Sequence, residues 1–269
     1  MKHGGGTSDT SCAFDAYYRS LYGERWDTLK IYLLEDPPIN EFTDGLMLPY
    51  RLDRASVLAA QSLSLPESGL VLDACAAPGG KSLVIASALS AGAALLANEL
   101  SSQRRRRLVS VLDAHLDTEK RSRVTVSGFD AAALAGNRCE HGRFDAVLLD
   151  APCSSERHVL RDAKALAEWT PARPRFLKQR QWALLSAAFL LLKSGGSLVY
   201  STCALTPEEN DGVIKRLFEK YPGAAISDPP DFPEGEKTGY GRIILPDRTN
   251  GIGPMFVARI KKVPPTGTI

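Results

Sequence analysis

No apolar run in these 269 residues approaches the roughly twenty that a membrane helix needs, and the Gly- and Ser-rich stretch before residue 13 lacks the apolar segment of a signal peptide. Both absences predict a soluble, intracellular protein. The further lack of an Arg-rich transit segment predicts the cytoplasm over an organelle. Net charge is scarce too: 33 Lys and Arg against 31 Asp and Glu leave +2. Bulk charge therefore does not announce a nucleic-acid binder, and only a local patch can carry that role. The five cysteines, at 12, 75, 139, 153 and 203, are odd in number and lack the close pairs of a zinc site. They are read as free thiols, with no metal bound. There is no internal repeat. What is present is an ordinary globular composition, 44% apolar and 24% charged, over a length that suits one large domain with at most a small appendage.

Phe14, Tyr17, Tyr18, Leu21, Trp26, Leu29, Tyr32 and Leu33 fall at helical spacing and predict two short helices interrupted at Gly23. Their rings are read as core packing rather than as base-stacking platforms. An irregular connector bracketed by Pro37, Pro38 and Pro49 follows, and Asp53 is placed to cap a helix over 54–63. Strands and helices then alternate. A strand over 69–74, a glycine turn over 76–80 and a helix over 81–89 are followed by a strand over 94–97, a helix over 103–116 and a strand over 124–127. The apolar run 146–149 ends abruptly in Asp150, Pro152 and Cys153, the mark of a buried parallel strand with polar chemistry at its carboxyl end. A long apolar helix over 177–193 and a strand over 196–201 come next. Thr206, Pro207 and the capping-box acid Glu209 then open a helix running to about Tyr221. Strands over 224–227 and 255–261 close the chain, with 242–245 extended inside the otherwise Pro/Gly-rich loop 229–253.

This alternation builds an α/β fold, a Rossmann-like, doubly wound, mostly parallel sheet covered on both faces by right-handed crossovers. The expected organisation is a disordered tail over 1–12, a helical N-terminal appendage over 13–65 and a catalytic domain over 66–269.

Asp73-Ala-Cys-Ala-Ala-Pro-Gly-Gly-Lys81 occupies the first strand-to-helix turn, where such folds hold ligands. It matches neither G-x-G-x-x-G nor the P-loop, which argues against a phosphate cradle. Gly79 and Gly80 are read as letting a ligand approach the backbone. Glu99, at the end of the next strand, suits both ribose hydroxyls of a nucleoside, and Asp130, after the third, suits an adenine amino group. Singly, either acid reads as an ordinary cap or surface group. Together, at successive strand ends, they describe a nucleoside with no phosphate to hold, and S-adenosylmethionine fits.

Cys153 and Cys203 end strands that a doubly wound order makes neighbours, so both thiols face one cleft beside Asp150. A single strand-end cysteine is better read as packing. Two beside an acid and a cofactor loop suggest chemistry. Carbon 5 of cytosine is too weak a nucleophile to attack a methylsulfonium. Thiolate addition at carbon 6 makes carbon 5 enamine-like, an acid at ring nitrogen 3 favours that addition, and a base must then remove the carbon 5 proton so that the thiol can leave. The residues by themselves leave open which cysteine does what.

Asp73-Ala-Cys-Ala-Ala-Pro-Gly-Gly-Lys-Ser82, Asp150-Ala-Pro-Cys-Ser-Ser155 and Ser201-Thr-Cys-Ala-Leu-Thr-Pro-Glu-Glu-Asn210 stand in the order and spacing of the Nop2/Sun family of RNA 5-methylcytosine methyltransferases. The chain resembles that family from about residue 13 to its end. The resemblance implies a class I S-adenosylmethionine-dependent methyltransferase in which Cys203 is the nucleophile, Cys153 assists product release and Asp150 contacts the cytosine. It further implies that Cys75, Ala76, Ala77, Pro78, Gly79, Gly80, Lys81, Glu99, Arg104, Asp130 and Asp150 surround the cofactor. Ser155-Glu-Arg-His-Val-Leu160, Ala97-Asn-Glu-Leu-Ser-Ser-Gln-Arg104 and Gly253-Pro-Met-Phe256 are similar to the branch that modifies mitochondrial small-subunit ribosomal RNA. Many members carry an extra N-terminal RNA-binding domain or a C-terminal appendage, and this length is expected to leave room for neither. RNA selection is then expected from the core, the N-terminal segment or a partner protein, and the chain itself is expected to be a monomer.

The expected substrate is RNA, ribosomal and of the small subunit, with transfer RNA as the alternative. Arg173, Arg175, Lys178 and Arg180 beside the cleft, with Lys261 and Lys262, suit an RNA backbone or are ordinary surface. At least two of Arg104 to Arg107 read as a solvated helix face, and His158 as structural. An amino-group methylase would carry Asn/Asp-Pro-Pro-aromatic where Asp150-Ala-Pro-Cys153 stands. A non-catalytic assembly factor has no need of two reactive thiols beside Asp150 and Lys81.

Overall fold

A computed structural model describes residues 6–226 and 232–263. Residues 1–5 of the expected tail, Ser227 of the expected strand and part of the loop that follows lie outside the described residues. Residues 7–22 contain neither Gly nor Pro, so nothing breaks the first helix, α1 (Gly6–Tyr22), which starts ahead of the expected residue 13 and takes in 6–12. Gly23 ends it at φ +60°, and α2 (Arg25–Leu34) follows. In the connector β1 (Glu41–Phe42) pairs antiparallel with β2 (Tyr50–Arg51). Asp53 caps α3 (Arg54–Gln61) as expected, its carboxylate accepting from the Ala55 amide at 2.7 Å.

The sheet then builds through β3 (Ser68–Asp73), α4 (Gly80–Ala88), β4 (Gly92–Asn98), α5 (Ser102–His115), a short α6 (Thr118–Ser122), β5 (Val124–Ser127), α7 (Ala131–Leu134) and β6 (Phe144–Asp150). Two short helices, α8 (Glu156–Arg161) and α9 (Ala163–Ala167), precede α10 (Ala172–Leu191), β7 (Leu192–Thr202) and α11 (Asp211–Lys220). The chain closes with β8 (Ala224–Ile226), β9 (Glu236–Lys237), β10 (Arg242–Ile244) and β11 (Met255–Lys262). Spatial order is β5-β4-β3-β6-β7-β11-β10-β9, with β8 also on β11. The five strands from β5 to β7 are parallel, and β11 runs antiparallel to β7. Parallel crossovers bring five carboxyl ends to one edge, which is where the polar motifs lie.

Alternation along the strands divides the core. On β6, Ala146 and Leu148 pack with α3, α4 and α5, while Val147 and Leu149 pack under α10, and all four are fully buried. Burying each leucine contributes roughly 2 kcal/mol of transfer free energy. Phe14, Tyr18, Trp26, Leu29 and Leu33 belong to that second cluster, together with Val159, Trp169 and Leu205. Phe14 meets Trp169 edge-on at 4.9 Å and Tyr18 stacks on Trp26 at 5.1 Å, so these rings are core, with Tyr17 packed against them, as the spacing predicts, whereas Leu21 of the same stripe is exposed and Tyr32 joins neither cluster. The Arg25 guanidinium clamps α2 onto Glu236 and Asp247.

Two local expectations fail for identifiable reasons. The helix expected from Thr206 starts only at Asp211, because Asn210 sits at φ −101°, ψ −102°, with its side chain tied to Thr202 and to the Ala204 carbonyl. Glu209 consequently turns inward instead of capping a helix. And α3, expected within the appendage, packs on α4 and β11 in the body of the sheet.

Candidate active site

Register sets the site. Asp150 pairs with Ser201 across β6 and β7, and the Ala151 amide donates to the Ser201 carbonyl at 2.9 Å, so the two cysteine loops leave the sheet side by side. Between them and the ends of β3 and β4 opens a cavity of about 540 Å³, lined by Cys75, Ala77, Lys81, Glu99, Arg104, Phe129, Asp150, Cys153 and Cys203 among others. Of the site residues expected from the sequence, Cys75, Ala77, Lys81, Glu99, Arg104, Asp150, Cys153 and Cys203 line this one cavity.

Lys81 reaches across from α4 to donate to Asp150 at 2.8 Å and to the Ser56 hydroxyl at 3.1 Å. Burial works against its charge, but the Asp150 carboxylate outweighs burial and holds the ammonium above its ordinary pKa. Ser201 donates to the other Asp150 oxygen at 2.8 Å, fixing the carboxylate at the cavity wall.

Cys153 Sγ and Cys203 Sγ lie 2.9 Å apart, with the Ser155 hydroxyl 3.3 Å from Cys203 Sγ. Donation from the Cys153 thiol lowers the Cys203 pKa below the usual cysteine range, Ser155 helping and burial opposing. That same contact, followed by burial, pushes Cys153 up. The pair is thus polarised, with the thiolate favoured on Cys203.

On the cofactor side, Glu99 is buried at the end of β4, accepting from the Ser101 amide at 2.8 Å with Arg104 3.6 Å away. A carboxylate has about four acceptor sites, so capacity toward the cavity remains. Arg104 also donates to the Ala77 carbonyl at 2.8 Å, and burial pushes the Cys75 thiol up to about 12. Ala76, Pro78, Gly79, Gly80 and Asp130 do not line this cavity. The glycines admit protein, not ligand: a Cβ on Gly79, at φ +124°, would meet Val111 at 3.0 Å, and one on Gly80 would meet Leu52 at 2.7 Å. Asp130 caps α7 and pairs with Arg180 at 2.7 Å, which engages both of its oxygens, while its neighbours Phe129 and Ala131 line the wall.

A second cavity of about 460 Å³, lined by Asp53, Arg157, His158, Arg161 and Pro254, shares Ser56, Ser155, Cys203 and Met255 with the first. His158 is exposed on its wall rather than structural. Arg173 and Arg175 are exposed near the start of α10, and Arg106 and Arg107 on α5 are likewise solvated. Lys262 donates to the Phe189 and Leu192 carbonyls at the end of α10. Because β11 runs antiparallel, Lys261 pairs with Ser197 at the opposite edge of the sheet, so neither lysine faces the cleft. Sequence reasoning missed Ser56, Asn98, Phe129 and Ser155 in the first cavity. Asn98 alone carried a signal, a polar residue ending an apolar strand; it bridges Ala74, Ser127 and Phe129.

A model of the 16S rRNA methyltransferase RsmB/F family matches residues 60–261. The chain is 40% identical over 198 residues to ribosomal RNA small subunit methyltransferase F of Erwinia tasmaniensis, covering 72% of this chain and 40% of that protein. It is 31% identical over 246 residues to the mitochondrial tRNA (cytosine(34)-C(5))-methyltransferase of Danio rerio, covering 84% and 64%. The chain therefore spans about two-fifths of the length of the small-subunit relatives it matches. The crystal structure of NSun6 from Pyrococcus horikoshii with SFG superposes at TM-score 0.68 and 28% identity, over 83% of this chain and 55% of that one. A methyltransferase homologue from the same organism superposes at TM-score 0.73 over 97% of this chain and all of its own, at 22% identity, a likeness of fold.

Proposed function

Because the chain belongs to the 16S rRNA methyltransferase RsmB/F family, we propose that it methylates carbon 5 of a cytosine in RNA, with S-adenosylmethionine as donor and small-subunit ribosomal RNA as substrate. The observation that carries this reading is the 2.9 Å approach of Cys153 and Cys203 beside the Lys81–Asp150 pair, where the two cavities meet. The first cavity suits the donor, with the Glu99 carboxylate for ribose hydroxyls and Phe129 and Leu100 as apolar walls for adenine. Glu99, Arg104, Cys75 and Ala77 would hold it. When bound, S-adenosylmethionine supplies an electrophilic methyl group.

Cys203 lines both cavities, so a cytosine entering through the second reaches its Sγ. The Cys203 thiolate adds to carbon 6, while Asp150 holds ring nitrogen 3 with the Lys81 ammonium behind it as a proton supply. Once carbon 5 has gained its methyl group, a water molecule takes its proton, ring nitrogen 3 returns its own to Asp150, and the carbon–sulfur bond breaks. The Cys153 thiol stabilises the departing Cys203 thiolate by the hydrogen bond it already makes. The reading includes a cytoplasmic monomer whose choice of RNA rests on the core, the N-terminal segment or a partner protein, since a net charge of only +2 does not select one.

The test is labelled methyl transfer to unmodified small subunits, naked ribosomal RNA and transfer RNA. Label in small-subunit RNA as 5-methylcytosine is expected. Cys203→Ala should abolish it, and undiminished turnover would sink the nucleophile assignment. Cys153→Ala should accumulate a slow protein–RNA band on a denaturing gel. Label confined to transfer RNA would favour the second reading, suggested by the Danio rerio relative.

A further inference from the structure

Behind the two cysteine loops lies a pair of carboxyl groups that the mechanism above does not use. Glu156 and Glu209 are both fully buried, and among the described residues neither has an ion-pair partner. The Ser154 hydroxyl stands between them, 2.5 Å from Glu156 Oε1 and 2.5 Å from Glu209 Oε1. A hydroxyl has one proton and cannot fill two such short contacts. The second proton must come from a carboxyl group, so the pair holds one proton and one negative charge.

Donors locate it. Glu209 accepts from the Ser154 amide at 3.0 Å, from Gln181 at 2.8 Å and from the Thr206 hydroxyl at 2.9 Å, the surroundings of a carboxylate. Glu156 accepts from Tyr18 at 2.6 Å and from the Leu205 amide at 3.1 Å, and keeps the proton that it donates to Ser154. These bonds span both reactive loops: Ser154 follows Cys153, Leu205 lies two residues past Cys203, and Gln181 also holds the Pro152 carbonyl at 3.0 Å. Burial, then the Glu209 charge, pushes Glu156 up to about 7.

We propose that Glu156 and Glu209, bridged by Ser154 and completed by Tyr18 of α1, are positioning residues that share one proton and hold the Cys153 and Cys203 loops in register. This rests on the reading that those cysteines carry the reaction. It makes the N-terminal helices part of the active-site framework. The other titratable groups around the pair are Tyr17 and Tyr22 on α1, Tyr200 on β7 and the two thiols, with Asp150 acting on Tyr200 and Cys203, and Glu208 and Arg175 acting on Tyr17. Every one of these tyrosines is held above its ordinary pKa and stays neutral near pH 7.

The experiment uses the full chain and peptide-resolved alkylation of Cys203 by iodoacetamide across pH 5.5–9, beside thermal midpoints over the same range. Glu156→Gln supplies the amide N–H that a protonated acid supplies. It should flatten the fall in midpoint as pH rises through about 7 while leaving the Cys203 alkylation profile near that of the unaltered chain. Glu209→Gln sets an N–H against groups that donate, and should move the Cys203 profile upward by about one pH unit. Tyr18→Phe should move it in the same direction by less. Equal behaviour of the two glutamine variants would overturn the shared proton, and an unmoved Cys203 profile in folded Glu209→Gln would overturn the positioning role. If Glu209→Gln fails to fold, Ser154→Ala takes its place with the same expected shift and the same disproof. Neither readout requires methyl transfer, so turnover by Cys203→Ala would refute the nucleophile assignment separately.

Discussion

Asp73, fully buried behind the turn between β3 and α4, bonds through only one oxygen, accepting from the Ser82 hydroxyl at 2.6 Å while Oδ1 has no partner. Burial pushes its pKa to about 7; Ser82 opposes, the Asp150 charge adds and Lys81 relieves it. The folded value lies above the unfolded one, so the folded state binds more protons between them. Its stabilising contribution is complete below about pH 4 and is lost as pH rises through about 7, an upper bound near 4 kcal/mol. Asp73→Asn should therefore lose less of its thermal midpoint than the unaltered chain between pH 5 and pH 8.5. An equal loss would place the titration elsewhere. At Lys81 the effect is on chemistry: Lys81→Met strips Asp150 of its counter-charge and proton supply. Single-turnover methylation is expected to fall roughly 100-fold, and rates within threefold would remove Lys81 from the mechanism.

At the scale of an element, α10 is two helices in one. Its second half, with Leu184, Leu185, Ala188 and Phe189, lies buried under the sheet, whereas Arg173, Arg175 and the 71% exposed Phe176 stand in solvent ahead of the cavity-lining Arg180. If RNA crosses this end, replacing Arg173, Arg175 and Lys178 by alanine should weaken binding and flatten its dependence on salt. For single strands the logarithmic slope should drop by about 2, or roughly 0.7 for each phosphate no longer neutralised. Filter binding over a salt range of roughly 50 to 200 mM reads that slope. Lys261→Ala, on the far edge of the sheet, should leave it unchanged; the reverse pattern would move the RNA path.

For the whole molecule, α1 and α2 share one core with α8 to α11, which argues for a single cooperative unit. Trp26 is completely buried, stacked on Tyr18 and bonded through its indole N–H to Asp15 at 3.1 Å. Trp26→Ala is expected to cost about 3–5 kcal/mol and to lower the urea midpoint of one transition with its slope unchanged. Two separated transitions would show that the N-terminal helices fold as a unit of their own.

Much of this was written locally. Apolar periodicity marked β3 to β7 and α10, the Asp53 cap marked α3, and the polar residues ending apolar runs marked Glu99, Asp150, Cys153 and Cys203, to which the family resemblance added Cys75 and Lys81; all six line one cavity. Those features survive because a strand's buried run and a helix's cap depend on residues a few positions away. Partnership did not. Glu209 reads as a capping acid beside Thr206, yet its main donors, Ser154 and Gln181, lie in other segments and only the β6–β7 register brings them near. Gly79 and Gly80 read as room for a ligand until α5 and the Tyr50–Leu52 segment are seen filling that room, and Asp130 reads as free until Arg180 is placed across from it. Lys262 reads as basic surface until the antiparallel direction of β11 sets it on the end of α10. Sequence determined which residues stand at the strand ends; tertiary packing decided which of them face one another, because long-range register has no local pattern to announce it.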